Sequence, residues 1–295
     1  MSAKTTRLED WIGNRECAID IVTAAKVAAM AATLDRDDPP PQQGDVLPPL
    51  WHWMFHAPIA RQSGLGPDGH PARGGFMPPV PLPRRMFAGG RMRFLRPIGV
   101  GETITREGEV LSVTPKTGRT GELVFVTVRY VISTPAGPAV EEEQDIVYRA
   151  PQPAAAVATA PDRVNLSDMP WRRFIEPDPV MLFRYSALTF NGHRIHYDRP
   201  YVTQVEGYPG LVVHGPLIAT CLAELARHES GRALASFAFR ARSPIFEPSP
   251  FTVAGGPDAT GTGCEVVAVG PGETVAMTAG ATFAGTVAAP LDGEG

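Results

Sequence analysis

Seven histidines occur in the 295-residue chain, and four of them fall between positions 193 and 228. Three of these, His193, His196 and His214, lie within 22 residues. They belong to a stretch reading Phe183-Arg-Tyr-Ser-Ala-Leu-Thr-Phe-Asn-Gly-His-Arg-Ile-His-Tyr-Asp198, which continues to Gly210-Leu-Val-Val-His-Gly-Pro-Leu217. Imidazole changes charge near neutral pH, so this grouping suits general acid–base chemistry. Asn191 stands five residues before His196 and can hold a water through its amide oxygen or nitrogen. Arg184 and Arg194 either face an anionic part of a substrate or lie solvated on the surface.

Two helices must frame this loop. The run Val180 to Leu188 reads as the first, and Pro216 to about Glu229 as the second, with Pro216 suited to a first helical turn. A polar, irregular connection between helices is where function concentrates. Gly215 then sits at a helix N-terminus, where free amides and the dipole favour developing negative charge. Strands follow near Ala233 to Arg242, Phe251 to Ala254, Cys264 to Val269 and Ala276 to Phe283.

The first half has the same order of elements. Val22 to Leu34 predicts a helix, and two loops follow at Asp35 to Pro49 and Gly64 to Pro83. β-rich runs then occupy Met86 to Leu95, Thr103 to Thr114, Leu123 to Thr134 and Glu141 to Arg149. Pro151 to Pro161, almost wholly Pro, Ala and Val with Gln and Thr, reads as an interdomain linker between residues 1–150 and 162–295. The segment Arg93-Phe-Leu-Arg-Pro97-Ile98 with Ile104-Thr105 matches Arg240-Ala-Arg-Ser-Pro244-Ile245 with Phe251-Thr252 at a constant offset of 147 residues. The expected fold is α+β, a double hot-dog in which two antiparallel sheets are each wrapped around a helix. At the same offset His196 falls on Pro49 and Asn191 on Gly44, so the catalytic pair is expected only in the second domain.

Composition narrows the classes. With 43% hydrophobic residues the chain can build real cores, and a net charge of -4 gives no general attraction to nucleic acid or anionic membranes. The N-terminus lacks a signal-peptide core, and Cys17, Cys221 and Cys264 have no metal-ligand or redox spacing, so buried free thiols in a cytoplasmic protein are expected. Gly64, Gly66 and Gly69 spell a dinucleotide fingerprint, but Pro67, Pro71, Gly74 and Gly75 forbid the helix that must follow. Trp51-His52-Trp53-Met-Phe-His56 reads as packing, since no acidic or third ligand is near in sequence. His228 suits a helix C-terminus, and Glu141 to Glu143 a solvated strand face.

The histidine segment resembles the MaoC-like hydratases, and within them the two-domain branch containing the mitochondrial hydroxyacyl-thioester dehydratase type 2 and the bacterial mesaconyl-CoA and itaconyl-CoA hydratases. The family signature Ser-Gly-Asp-x-Asn-Pro-x-His is matched here by Leu188-Thr-Phe-Asn-Gly-His-Arg-Ile-His196, and His214-Gly215 opens the second helix as the family's His-Gly does. The resemblance implies reversible hydration of an α,β-unsaturated acyl-CoA, of dicarboxylic mesaconyl or itaconyl type, by a homo-oligomer needing no metal or redox cofactor.

Hydration of such a thioester requires a base for the water, a proton for the α-carbon and a donor to the enolate oxygen. His196 is the base, Asn191 holds the water and the Gly215 amide faces the oxyanion. His193, Arg184, Arg194 and His214 are candidates for binding substrate. Asn191 stands where the wider family has an ionisable aspartate. Either His196 handles both proton transfers through one water, or a second group such as His193, with Asp198 behind it, assists. Alternatives are a general enoyl-CoA or carrier-protein dehydratase, a thioester hydrolase, and a non-catalytic thioester-binding module.

Overall fold

The computed structural model describes residues 7–118, 121–150 and 162–285, and the linker expected at Pro151 to Pro161 lies outside them. The strands are β1 (Arg15–Ile21), β2 (Arg84–Phe94), β3 (Thr103–Gly118), β4 (Gly121–Thr134), β5 (Gly137–Arg149), β6 (Trp171–Ile175), β7 (Leu234–Ala241), β8 (Phe251–Pro257), β9 (Gly263–Gly270) and β10 (Thr274–Phe283). The helices are α1 (Ala24–Thr33), α2 (Pro179–Thr189) and α3 (Gly215–Ser230). All strand pairs are antiparallel and form one ten-stranded sheet in the order β1-β3-β4-β5-β2-β7-β10-β9-β8-β6. Read from its outer edge, each half has the same strand order, and the halves meet through β2 and β7.

The register at that joint carries the duplication. Arg91 pairs with Ala238, the residue 147 positions further along, and the flanking pairs Gly89 with Arg240 and Arg93 with Ser236 exchange under the same offset. A local twofold axis therefore passes between Arg91 and Ala238.

The halves fill their concave faces differently. In the second half α3 buries Leu217, Ile218, Leu222, Leu225 and Ala226 against the sheet, each large side chain contributing about 1.5–3 kcal/mol. In the first half α1 buries Val27, Met30 and Ala31, and a short turn at Trp51–Met54 adds Trp51 and Met54. Among the described residues no α-helix lies between α1 and β2. Pro67, Pro71, Pro78, Pro79, Pro81 and Pro83 remove the amides a helix there needs. The chain instead lays Phe76, Met77, Val80 and Leu82 against Val110, Val126, Val128 and Tyr148.

Two local expectations are corrected. Glu141 and Glu143 do face outward, paired with Arg93 and Arg91, but strand alternation turns Glu142 into the core. There Glu142 accepts from Trp53 Nε1 at 2.8 Å and hydrogen-bonds His52 Nε2 at 3.0 Å, so the Trp51–Phe55 segment packs around an acidic partner from β5. Among the cysteines, Cys221 and Cys264 are buried, whereas Cys17 is exposed on β1. No helix among the described residues is long and apolar enough to cross a membrane.

Candidate active site

The site begins with the end of α2. Asp178 caps that helix by accepting from the Met181 amide at 2.7 Å, with Pro179 in the first turn. Phe190 ends it in the left-handed region, with φ of 52°, and the Asn191 amide closes back on the Ser186 carbonyl at 2.8 Å. Asn191 Oδ1 then accepts the His193 amide at 3.0 Å, an Asx turn that aims His193 and His196 inward. Among the described residues Asn191 Nδ2 has no hydrogen-bond partner, so that amide is free to hold a water or a substrate oxygen.

His196 donates Nδ1–H to the Val212 carbonyl at 2.7 Å, since a carbonyl can only accept. This fixes the tautomer and leaves the lone pair on Nε2 bare. Its ring stacks on His214, with centroids 3.7 Å apart and planes inclined by 18°, and meets His193 edge-on at 5.4 Å. His214, fully buried, shares a hydrogen bond of 2.8 Å between Nε2 and Ser186 Oγ, which ties the cap of α3 to α2. Burial, reinforced by the neighbouring ring charges, pushes His193 and His196 down to about 3 and His214 well below its ordinary value. All three are neutral at pH 7.

Gly215 opens α3 as expected, and Phe87 of β2 lies beside it, 3.9 Å from where a Cβ would stand. Phe87 also packs on Trp53 at 5.9 Å and on Phe239 at 5.4 Å, an aromatic surface drawn from both halves.

The two arginines are not brought to the histidines. Arg184 is exposed on α2. Arg194 keeps 38% of its side chain exposed and is not aimed at the imidazoles: its guanidinium grips Asp198 at 2.8 Å, donates to the Pro67 carbonyl at 3.0 Å and stacks 4.1 Å from the Tyr201 ring centre. It fastens the loop in place. Asp198 is bound to Arg194 and to the Tyr201 amide, and the group that faces His193 is a different one.

That group comes from the first half. The loop read above as a failed dinucleotide fingerprint docks on the turn that carries His193 and His196, with the Arg194 amide donating to the Asp68 carbonyl at 2.9 Å. It presents Asp68 and His70, whose Oδ2 and Nδ1 are 3.1 Å apart, and the His70 ring lies 4.2 Å from that of His193. Burial disfavours the Asp68 carboxylate, but the hydrogen bond and charge of His70 outweigh it and hold the carboxyl below its usual range. Asp68, His70 and His193 bring donor atoms within 4.8 Å of one another, a donor set that could also hold a transition metal. More than 120 residues separate Asp68 from His193, so no local spacing announces the contact. The one available signal is the length of a Gly- and Pro-rich loop beyond what a connection needs.

Buried histidines at the mouth of a hot-dog helix, in a chain carrying two such folds, define a hydro-lyase of the MaoC-like class. Residues 50–247 match the family described as hydroxyacyl-thioester dehydratase type 2, and the chain belongs to that family. It is 49% identical over 271 residues to the mesaconyl-C(4)-CoA hydratase of Chloroflexus aurantiacus, covering 91% of this chain and 95% of that one. A solved MaoC-like dehydratase superposes with a TM-score of 0.69 at 17% identity, covering 94% of this chain and 100% of its own. A Mycobacterium tuberculosis protein described as a double hotdog fold gives 0.59 at 12% identity, covering 92% and 96% respectively. At such identities these two structures speak for the fold alone.

Proposed function

We propose that the chain adds water reversibly to the double bond of an α,β-unsaturated acyl-CoA carrying a second carboxylate, of the mesaconyl or itaconyl type, with catalysis in the second domain. The observation that carries this is His196, neutral, held by the Val212 carbonyl and offering a bare Nε2 next to the N-terminus of α3. Water gives its proton to that nitrogen as its oxygen bonds to the β-carbon. The displaced π pair moves onto the thioester oxygen, where the Gly215 amide and the helix dipole stabilise the enolate. The negative charge formed there raises the proton affinity of His196 as the reaction proceeds. Asn191 Nδ2 holds the water. Trp53, Phe87 and Phe239 are assigned as the wall for the acyl group.

The distal carboxylate needs a paired guanidinium once it leaves water. Arg85 suits this better than Arg184. It is half-buried on β2, on the same face as Phe87, its charge reaches His70 and His193, and no carboxylate pairs with it among the described residues. The likeness to a mesaconyl-C(4)-CoA hydratase supports this acyl class. We place the protein in the cytoplasm, and the exposed Phe174, Phe183 and Phe190 support a homo-oligomer.

A spectrophotometric assay with mesaconyl-C4-CoA and crotonyl-CoA tests the reading. Turnover of the first well above the second is the expected result. Preference for crotonyl-CoA marks a general enoyl-CoA hydratase, thiol release marks a thioesterase, and saturable binding without turnover marks a binding module.

A further inference from the structure

Asn191 cannot carry a proton, so the α-carbon needs another source, and near His196 the loop holds only His193 and His214, the latter fully buried and committed to Ser186 through Nε2. The first half supplies what is missing. Resting on the hydratase reading above, we infer that His70, oriented by Asp68, is the second proton carrier of the reaction, so that the active site is completed by the Gly- and Pro-rich loop of the catalytically silent half.

Four observations support this. His70 is tied to Asp68 twice, through Nδ1 at 3.1 Å and through its backbone amide to Oδ1 at 3.1 Å, so the ring has one orientation. Rings succeed one another from His196 to His193 at 5.4 Å and from His193 to His70 at 4.2 Å. The loop is fixed to the catalytic turn by the Arg194 contacts to Asp68 and Pro67, and by a Gly69–Gly192 approach too close for any side chain. His70 keeps part of its surface accessible while His196 and His214 are buried, which is what a group delivering a proton to a bound substrate requires.

The proton count closes with every imidazole neutral at the start and at the end. His196 takes one proton from water as the C–O bond forms and the C=C π bond breaks. That proton passes by way of His193 to His70, where burial disfavours the imidazolium and the Asp68 carboxylate offsets part of that cost. His70 then gives it to the α-carbon as the enolate collapses, forming the C–H bond and restoring the thioester carbonyl. In the dehydration direction the same imidazole removes the α-proton.

His70→Gln keeps the bulk and hydrogen bonding of the side chain but cannot carry a proton. It should lower kcat on mesaconyl-C4-CoA at least about a hundredfold with KM changed less than about threefold. In dehydration of an α-deuterated 3-hydroxyacyl-CoA, its isotope effect should exceed that of the wild type, because C–H cleavage becomes the slow step. Asp68→Asn, a near-isosteric change acting through His70, should move both quantities in the same direction by a smaller factor, and decides the matter if His70→Gln does not fold. Retention of more than half of kcat in His70→Gln overturns the inference, as does a loss with an unchanged isotope effect, which marks a structural role. Activity removed by chelation and restored by zinc also overturns it, since Asp68, His70 and His193 are then metal ligands. A wild-type protein that hydrates neither acyl-CoA defeats the hydratase reading and this inference with it, whereas an active wild type with an indifferent His70→Gln defeats this inference alone.

Discussion

The imidazoles of His196 and His214 stack face to face, 3.7 Å between centroids, with His196 bound to the Val212 carbonyl and His214 to Ser186. Two rings so placed cannot both be charged, because each would meet a like charge in a site stripped of water. His214, the more deeply buried, has Nδ1 without a hydrogen-bond partner among the described residues, so a proton there would have none of them to bond. The stack therefore keeps His214 as a neutral platform, and under the proposed mechanism it is His196, set at 88° to the His193 ring, that takes the proton.

This arrangement makes the fold acid-sensitive, with a definite sign. The buried histidines have folded pKa values depressed to about 3 for His193 and His196, whereas the unfolded chain titrates near 6.5. Above that pH neither state binds the protons and stability is full. As pH falls below it, the unfolded chain takes up protons that the folded chain refuses, and stability is lost steadily down to about pH 3. Each such group adds about 1.4 kcal/mol per pH unit to the slope. Urea midpoints measured from pH 8 to pH 4 should fall accordingly, and His214→Asn should make the fall shallower; a flat profile would contradict neutral burial.

Loss of His196 should spare the fold and remove the chemistry. His196→Ala is expected to lower turnover by at least about a hundredfold, with a melting temperature close to that of the wild type. Activity above about a tenth of wild type would place the base elsewhere.

The choice between Arg85 and Arg184 is decided by substrate comparison. Arg85→Met should reduce kcat/KM for mesaconyl-C4-CoA by about 2–4 kcal/mol in transition-state terms while leaving crotonyl-CoA within a few-fold. Arg184→Leu should leave both unchanged, because that side chain is exposed on α2. The opposite pattern would return the carboxylate to Arg184.

How much of this was legible in the sequence follows from where the information lies. The strands β2 to β5 and β7 to β10, the three helices and the loop from Asn191 to His214 announce themselves through alternation, turn residues and local spacing. β1 and β6 do not. They are edge strands that expose large apolar residues, Ile19 and Ile21 on β1 and Phe174 on β6, and β6 turns apolar residues inward only at Trp171 and Ile175, too few positions to show an alternation. Glu142 looked solvated because its neighbours are charged, and only the pairing of β5 shows which face turns inward. Asp68 and His70 were hidden for a third reason: their function arises from a contact across halves, and the prolines that rule out a helix there say nothing about where the loop goes.

The Glu142 pair gives a stability test independent of catalysis. Glu142→Ala leaves the His52 ring and Trp53 Nε1 unpaired in the core, and should cost about 3–5 kcal/mol. Replacing Glu142 and His52 together by leucines should recover part of that loss, because the imidazole is then no longer stranded and the Trp53 Nε1–H is the donor still lacking its Glu142 acceptor. A double variant as unstable as Glu142→Ala would show that packing, not the polar pair, sets the cost.

Docking of the Asp68–His70 loop can be broken at a single atom. Gly69 has φ of +88°, and a Cβ there would stand 1.9 Å from the Gly192 carbonyl oxygen, so Gly69→Ala must separate the loop from the catalytic turn. Gly74 in the same loop supplies the control. Its φ is +96°, so alanine there meets the same backbone penalty of about 1–2 kcal/mol, but the nearest atom to its Cβ is Pro79 Cβ at 3.6 Å, an ordinary contact. If the loop were only a surface strap, the two substitutions would behave alike, each lowering the melting temperature slightly and sparing turnover. With the loop completing the site, Gly69→Ala should lower kcat at least about tenfold, while Gly74→Ala stays within about twofold of wild type. The core is untouched in both, since neither glycine is buried, so urea midpoints should differ little between them. Steady-state kinetics of the two variants side by side makes the comparison, and equal activities would mean that the contact between Gly69 and Gly192 holds nothing that the reaction needs.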